Sequence, residues 1–165
     1  IMQTITPVLM FTGANSGKAE EAMNFYASVF PQSSVNVQMR YGKGQEPDTE
    51  GTVTFANFTL DGEQFAAMDS AHPHGFGFNE AISFLVHCES QQEIDRYWER
   101  LSADPKSEQC GWLKDKYGVS WQIVPTAMDE MMSSGDAQQI ARVTQAFLKM
   151  KKFDIAALWA AYEGK

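Results

Sequence analysis

Residues 109–125 read QCGWLKDKYGVSWQIVP, and how this stretch is read decides the fold. Two short strands joined by a turn account for its pattern. The tetrapeptide at 115–118 (DKYG) supplies the turn chemistry, with Gly118 free to take a positive φ. Strand side chains alternate, so Cys110, Trp112 and Lys114 share one face of the first arm. On the second arm Ser120 and Gln122 face one way, and Val119, Trp121 and Ile123 the other. Two tryptophans, a thiol, an ammonium and a carboxamide on one hairpin mark the floor of a pocket.

Upstream of this hairpin, residues 80–88 (EAISFLVHC) read as a strand. Ser90 and Glu93 then have capping-box spacing, and Ile94, Tyr97, Trp98 and Leu101 form the buried stripe of a helix. A like order, strand, helix and then three strands, occurs earlier in the chain. Residues 5–12 (ITPVLMFT) are an apolar strand, and residues 18–30 an amphipathic helix with Ser16 as its expected N-cap. Glu20 and Glu21 suit the first turn of that helix, and Pro31 stops it. A strand at 33–40 follows, then a Gly-, Pro- and acid-rich stretch at 41–51 that reads as a mobile loop. Residues 52–60 and 63–69 form a hairpin around Asp61-Gly62.

The irregular segment 70–79 (SAHPHGFGFN) is the boundary between the halves. After the second hairpin come three helical patches, at 128–132, 137–150 and 154–162. Because strands come in runs, the fold class is α+β rather than doubly wound. At 165 residues the chain is one large domain built of two modules, at about 4–70 and 79–126, with a helical tail at 127–165. Two such modules can each lend a curved sheet, with helices outside and a cleft between.

Composition narrows the function. A net charge of −8 and a pI near 4.8 disfavour nucleic acid and fit a cytoplasmic protein. No apolar run approaches the roughly 20 residues of a membrane helix. The expectation is therefore a protein without membrane or nucleic-acid partners, and without a signal peptide. Cys88 and Cys110 have no C-x-x-C spacing and read as buried free thiols.

The segments AEEAMNFYASVF (19–30), FNEAISF (78–84) and QCGWLKDKYGVSWQIVP (109–125) resemble the PhnB-like branch of the vicinal-oxygen-chelate superfamily, which includes glyoxalase I, extradiol dioxygenases and bleomycin-resistance proteins. ARVTQAFLKM (141–150) and DIAAL (154–158) extend that resemblance into the tail. It implies a glyoxalase/bleomycin-resistance-like fold of two βαβββ modules, and a homodimer. Proteins of this kind also carry the label 3-demethylubiquinone-9 3-methyltransferase. A methyltransferase of the common type needs a Gly-rich turn after its first strand, whereas only Gly13 and Gly17 follow residues 5–12 here.

The superfamily's enzymes hold a divalent ion with His and Glu on matching strands. By the resemblance those positions are Pro7 or Val8, Ala81 or Ser83, and Gln122. None offers an imidazole or carboxylate, so no metal and no other cofactor is expected there. His72 and His74 are an H-x-H pair that can ligate if both face one way, with Asp69 the nearest carboxylate. His87 reads as a structural histidine at a sheet end. Cys110 and Glu80 are the weak catalytic candidates, and Lys114 with Asp115 reads as a solvated turn pair.

The leading expectation is a small, partly apolar molecule bound in the cleft without the usual metal, as in bleomycin-resistance proteins, with Asp69, Trp112, Ser120 and Gln122 lining it. The alternatives are a metal-dependent lyase, isomerase or dioxygenase with ligands shifted to His72, His74, Asp69 or Glu80, and an interaction module that uses its Trp- and Met-rich tail.

Overall fold

A computed structural model describes residues 3–165. Seven strands, five α-helices and two 3-10 turns make up the described chain, arranged in two compact units, Ile1–Gly77 and Phe78–Lys165. No helix among the described residues is long and apolar enough to cross a membrane.

The first unit runs β1 (Val8–Phe11), α1 (Ala19–Val29), β2 (Ser34–Arg40), β3 (Val53–Leu60) and β4 (Glu63–Asp69). Its sheet has the order β1-β4-β3-β2. β1 lies parallel to β4, with Val8 beside Ala66 and Phe11 beside Asp69. A parallel neighbour needs a crossover, and the chain supplies it through α1, β2 and β3. The β3–β4 turn forms as the Asp61-Gly62 pair predicts, with both residues at positive φ, 50° and 81°. Helix α1 buries Ala19, Ala22, Met23, Tyr26 and Val29 completely or nearly so, and the sheet face beneath contributes Leu9, Phe11, Ala56, Phe58 and Ala67.

Two expectations change in this unit. Ser16 does not cap α1; it closes a 3-10 turn at Gly13–Asn15, and Lys18 precedes the helix without a side-chain cap. Asp69, at the far end of β4, takes that role. Its Oδ1 accepts from Ala19 N at 3.0 Å, and its Oδ2 from Val53 N at 2.9 Å. The stretch at 41–51 is tied down rather than loose. Tyr41 N donates to Thr52 O and Gly51 N to Tyr41 O, the Tyr41 hydroxyl donates to Asp69 O, and Asp48 Oδ1 accepts from Ala71 N.

The second unit runs β5 (Ser83–Cys88), α2 (Gln91–Leu101), β6 (Trp112–Lys114), β7 (Ser120–Pro125), α3 (Thr126–Ser134), α4 (Ala137–Phe147) and α5 (Ile155–Glu163). Its sheet order is β5-β7-β6, with β5 parallel to β7. The second module is thus βαββ, one strand short of the implied βαβββ. The residues after α2, SADPKSEQ at 102–109, lack alternating apolar positions, and they form a 3-10 turn at Pro105–Ser107 with Asp104 as its cap. Ser90 Oγ caps α2 by accepting from Glu93 N, but the Glu93 carboxylate reaches Glu89 N rather than closing the reciprocal box on Ser90.

The tail is bound to the hairpin that precedes it. Gln109 and Trp112 exchange backbone bonds around Cys110-Gly111, whose φ values are 49° and 82°. The N–H groups of this turn donate outward, Cys110 N to Met150 O at 2.9 Å and Gly111 N to Lys151 O at 2.8 Å. Gly111 is also the only residue type that fits: a Cβ there would lie 2.5 Å from the Phe153 ring. Gln91 on α2 anchors the same segment, donating to Phe153 O and accepting from Ile155 N. Arg142 on α4 closes the end of α5 by donating to Ala161 O and Tyr162 O.

Candidate functional site

In the second unit, alternation places Ser83 and Leu85 of β5, Ser120 and Gln122 of β7, and Trp112 and Lys114 of β6 on one face. The register agrees: Ser83 pairs with Ser120, Leu85 with Gln122, Trp112 with Gln122 and Lys114 with Ser120. The opposite face buries Leu113, Trp121 and Ile123 under α2. A recess of about 390 Å³ opens at one end of the first face, lined by Glu80, Ser107, Gln109, Cys110, Trp112, Leu113, Lys114 and Ser120.

Ser120 stands out within it. The residue is 1 % exposed, and its Oγ is the one buried side-chain polar atom without a partner among the described residues. Leaving a buried hydroxyl unpaired costs about 1–3 kcal/mol. Lys114 Nζ lies 2.6 Å from Glu80 Oε1. Glu80 precedes β5 and Lys114 ends β6, so this ion pair ties the two outer strands together at the end of the sheet where Ser120 begins the central strand. The ammonium holds the Glu80 carboxyl below its usual range, its hydrogen bond being the main cause.

The other expected residues fall elsewhere. Gln122 does not line the recess; its Nε2 donates to Ser83 Oγ at 2.9 Å, so two positions matched to ligands by resemblance bind each other. Asp69 belongs to the first unit, 1 % exposed, its carboxylate committed to backbone donors. Burial pushes its pKa up, with nearby Asp48 adding to the rise, while the N–H groups of Val53, Ala19 and Gly17 pull it down. The rise prevails because burial is the largest effect. His72 and His74 are exposed on the first unit's final loop, with His72 Nε2 3.8 Å from Asp48 Oδ2 and His74 Nε2 2.7 Å from Ser70 Oγ. Among the described residues no group of three or more His, Cys, Asp or Glu side chains is placed to hold a metal ion. His87 is exposed at the edge of the second unit, 3.7 Å from Asp129.

Two further readings are corrected. Asp115 is not a solvated partner of Lys114: it is 4 % exposed, its Oδ1 accepts from Tyr117 N and Val119 N, and its Oδ2 from Trp121 Nε1 at 2.9 Å. The two thiols also part ways. Cys88 is buried, which pushes its pKa up to about 12, whereas Cys110 is half-buried in the wall of the recess. Ser107 and Gln109 escaped the sequence reading as lining residues. The signal for Gln109 was the Gly111 beside it, which makes the 109–112 segment a tight turn rather than a straight strand arm.

The first unit has a larger recess, about 610 Å³, lined by Ser34, Asn36, Asn57, Thr59 and Gln64 among others. Among the described residues it has no charged side chain and no buried unpaired polar atom, so none of them selects a ligand group as strongly as Ser120 and Lys114 do.

The family model for 3-demethylubiquinone-9 3-methyltransferase matches residues 3–124. The match ends within β7, so α3, α4 and α5 lie outside it, although the resemblance read from the sequence runs into the tail. The PhnB protein of Bacillus cereus is 45 % identical, with a TM-score of 0.63, covering 74 % of this chain and 99 % of its own. Protein PA1353 of Pseudomonas aeruginosa shares the fold at 20 % identity and a TM-score of 0.56, covering 75 % of this chain and 98 % of its own. No curated protein matches the chain. With both sheets inside the matched region and a close relative aligned over nearly its full length, the chain belongs to the PhnB-like proteins of the 3-demethylubiquinone-9 3-methyltransferase family and has their glyoxalase-like α+β fold.

Proposed function

We propose that this protein binds a small, partly apolar molecule bearing a carboxylate, in the recess of the second unit and without a metal. The observation that carries this reading is the buried, unpartnered Ser120 hydroxyl at the foot of a recess that also holds an ammonium. A carboxylate takes hydrogen bonds from Ser120 Oγ and Lys114 Nζ together, and Trp112, beside Lys114 on the same face, offers apolar surface to the rest of the ligand. The Glu80–Lys114 pair must open for this to happen. Glu80 is largely exposed and its charge is screened by solvent, so a ligand carboxylate can take its place on Lys114. The homodimer and the cytoplasmic location expected from the sequence complete the proposal.

The test is a thermal-shift screen of aromatic and aliphatic carboxylates against their uncharged amides. Carboxylates raise Tm and amides do not. Ser120→Ala weakens binding about tenfold or more, the worth of one hydrogen bond to a charged group. The same variant leaves the unliganded protein as stable as before, or up to about 1 kcal/mol more stable, since an orphaned hydroxyl is gone. Carboxylates and amides acting alike, or a Ser120→Ala variant that binds as wild type does, would sink the reading.

A further inference from the structure

We infer that Cys110 is a thiol–disulfide exchange site that accepts small disulfides carrying carboxylate groups, an inference that rests on the carboxylate-binding recess proposed above. Cys110 shares that recess with the unpartnered Ser120 hydroxyl and the Lys114 ammonium, two donors for a carboxylate. Its sulfur lies at the wall, where Sγ accepts from the Gln109 side-chain amide at 3.3 Å and the thiol donates to Leu148 O at 3.8 Å.

The thiol is held in place by the part of the chain that the family match does not reach. The carbonyls of Met150 and Lys151 accept from the N–H groups of Cys110 and Gly111, and the Phe153 ring packs on Gly111. This keeps Cys110 at a φ of 49°, a conformation that costs a side chain other than glycine, asparagine or aspartate appreciable strain.

The reaction is a balanced exchange. The Cys110 thiol loses its proton to solvent. The resulting thiolate attacks one sulfur of the disulfide RS–SR, a new S–S bond forms between Cys110 and one RS group, and the original S–S bond breaks. The other half leaves as a thiolate with the electron pair and takes up a proton. The disulfide is the only co-reactant. Cys88 is excluded by burial and by its thiol pKa near 12.

The experiment incubates the full chain with oxidised glutathione, which carries carboxylates, or with 2-hydroxyethyl disulfide, which is uncharged, and follows adducts by intact mass and peptide mapping. One adduct per chain is expected, mapping to Cys110, and none in Cys110→Ser or in Cys110→Gly, which relieves the backbone. Lys114→Gln slows the glutathione reaction about tenfold, the worth of one hydrogen bond to a charged group, and slows the uncharged disulfide far less. No adduct at Cys110, or equal slowing of both disulfides by Lys114→Gln, overturns the inference. If carboxylates still raise Tm through Ser120 while no adduct forms, this inference falls and the binding reading stands. If carboxylates fail to bind in the thermal-shift screen, the binding reading falls and this inference with it, whatever adduct forms.

Discussion

Asp69 and Asp115 are both buried carboxylates that bind backbone N–H groups, one in each unit, and they reach their donors by opposite routes. Asp115 serves its own turn: the N–H groups of Tyr117 and Val119 and the indole of Trp121 all come from the next few residues. Asp69 serves strangers. It ends β4 yet holds the first N–H of α1, which the parallel pairing of β1 with β4 brings within reach, and the first N–H of β3, which the antiparallel β3–β4 pairing brings there. One carboxylate closes contacts within its own turn; the other joins segments 16 and 50 residues away. A local contact has a low ordering cost and a distant one a high cost, so the two should fail differently.

Asp69→Ala is expected to do the most damage. It orphans the N–H donors of Ala19, Val53 and Gly17 and uncaps α1, for a loss of about 3 kcal/mol or more. For a chain of this size that lowers Tm by about 6–12 °C. Native-state hydrogen exchange should show protection falling at the starts of both α1 and β3. Loss confined to β4 would break the comparison.

Asp115→Asn comes next, at about 1–3 kcal/mol. The carboxamide keeps an acceptor for Tyr117 N and Val119 N but turns an NH₂ toward the Trp121 indole N–H. Exchange should rise only within 115–121, with the first unit's amides unchanged. Spread into the first unit would show that the turn is not the local device it looks like.

The smallest effect is a pH dependence. Burial raises the Asp69 pKa, so the folded state favours its protonated form. The linked stabilisation is complete below the ordinary aspartate pKa and fades as pH rises through the raised one. Across that acid interval, urea unfolding should show wild type losing stability relative to Asp69→Asn as pH rises. The opposite slope would mean that the Ala19, Val53 and Gly17 donors outweigh burial.

The same division between near and far decides what could be read in advance. Alternation and turn chemistry located the Asp61-Gly62 hairpin, the β6–β7 hairpin, the Ser90 cap and the tail helices, because each depends on neighbours in sequence. Cys110, Trp112, Ser120 and Glu80 were picked out as chemistry-bearing residues, and the structure brings all four to one recess. The residue pattern of the second module already read as βαββ, as the structure has it, and only the resemblance implied a further strand; the Asp104-Pro105 pair there is the chemistry of a capped turn.

By itself, then, the sequence determined the α+β class, the repeated strand-helix-strand order and the faces of the strands, since periodicity and turn residues act over a few positions. Only the tertiary structure decided that Asp69 caps a helix it follows by a whole sheet, that Gln122 is occupied by Ser83, and that the tail holds Cys110 in a left-handed turn. It alone left the Ser120 hydroxyl buried without a partner. Such facts depend on which distant groups arrive at one place, and no local pattern in a chain records the arrival of a distant partner or its absence.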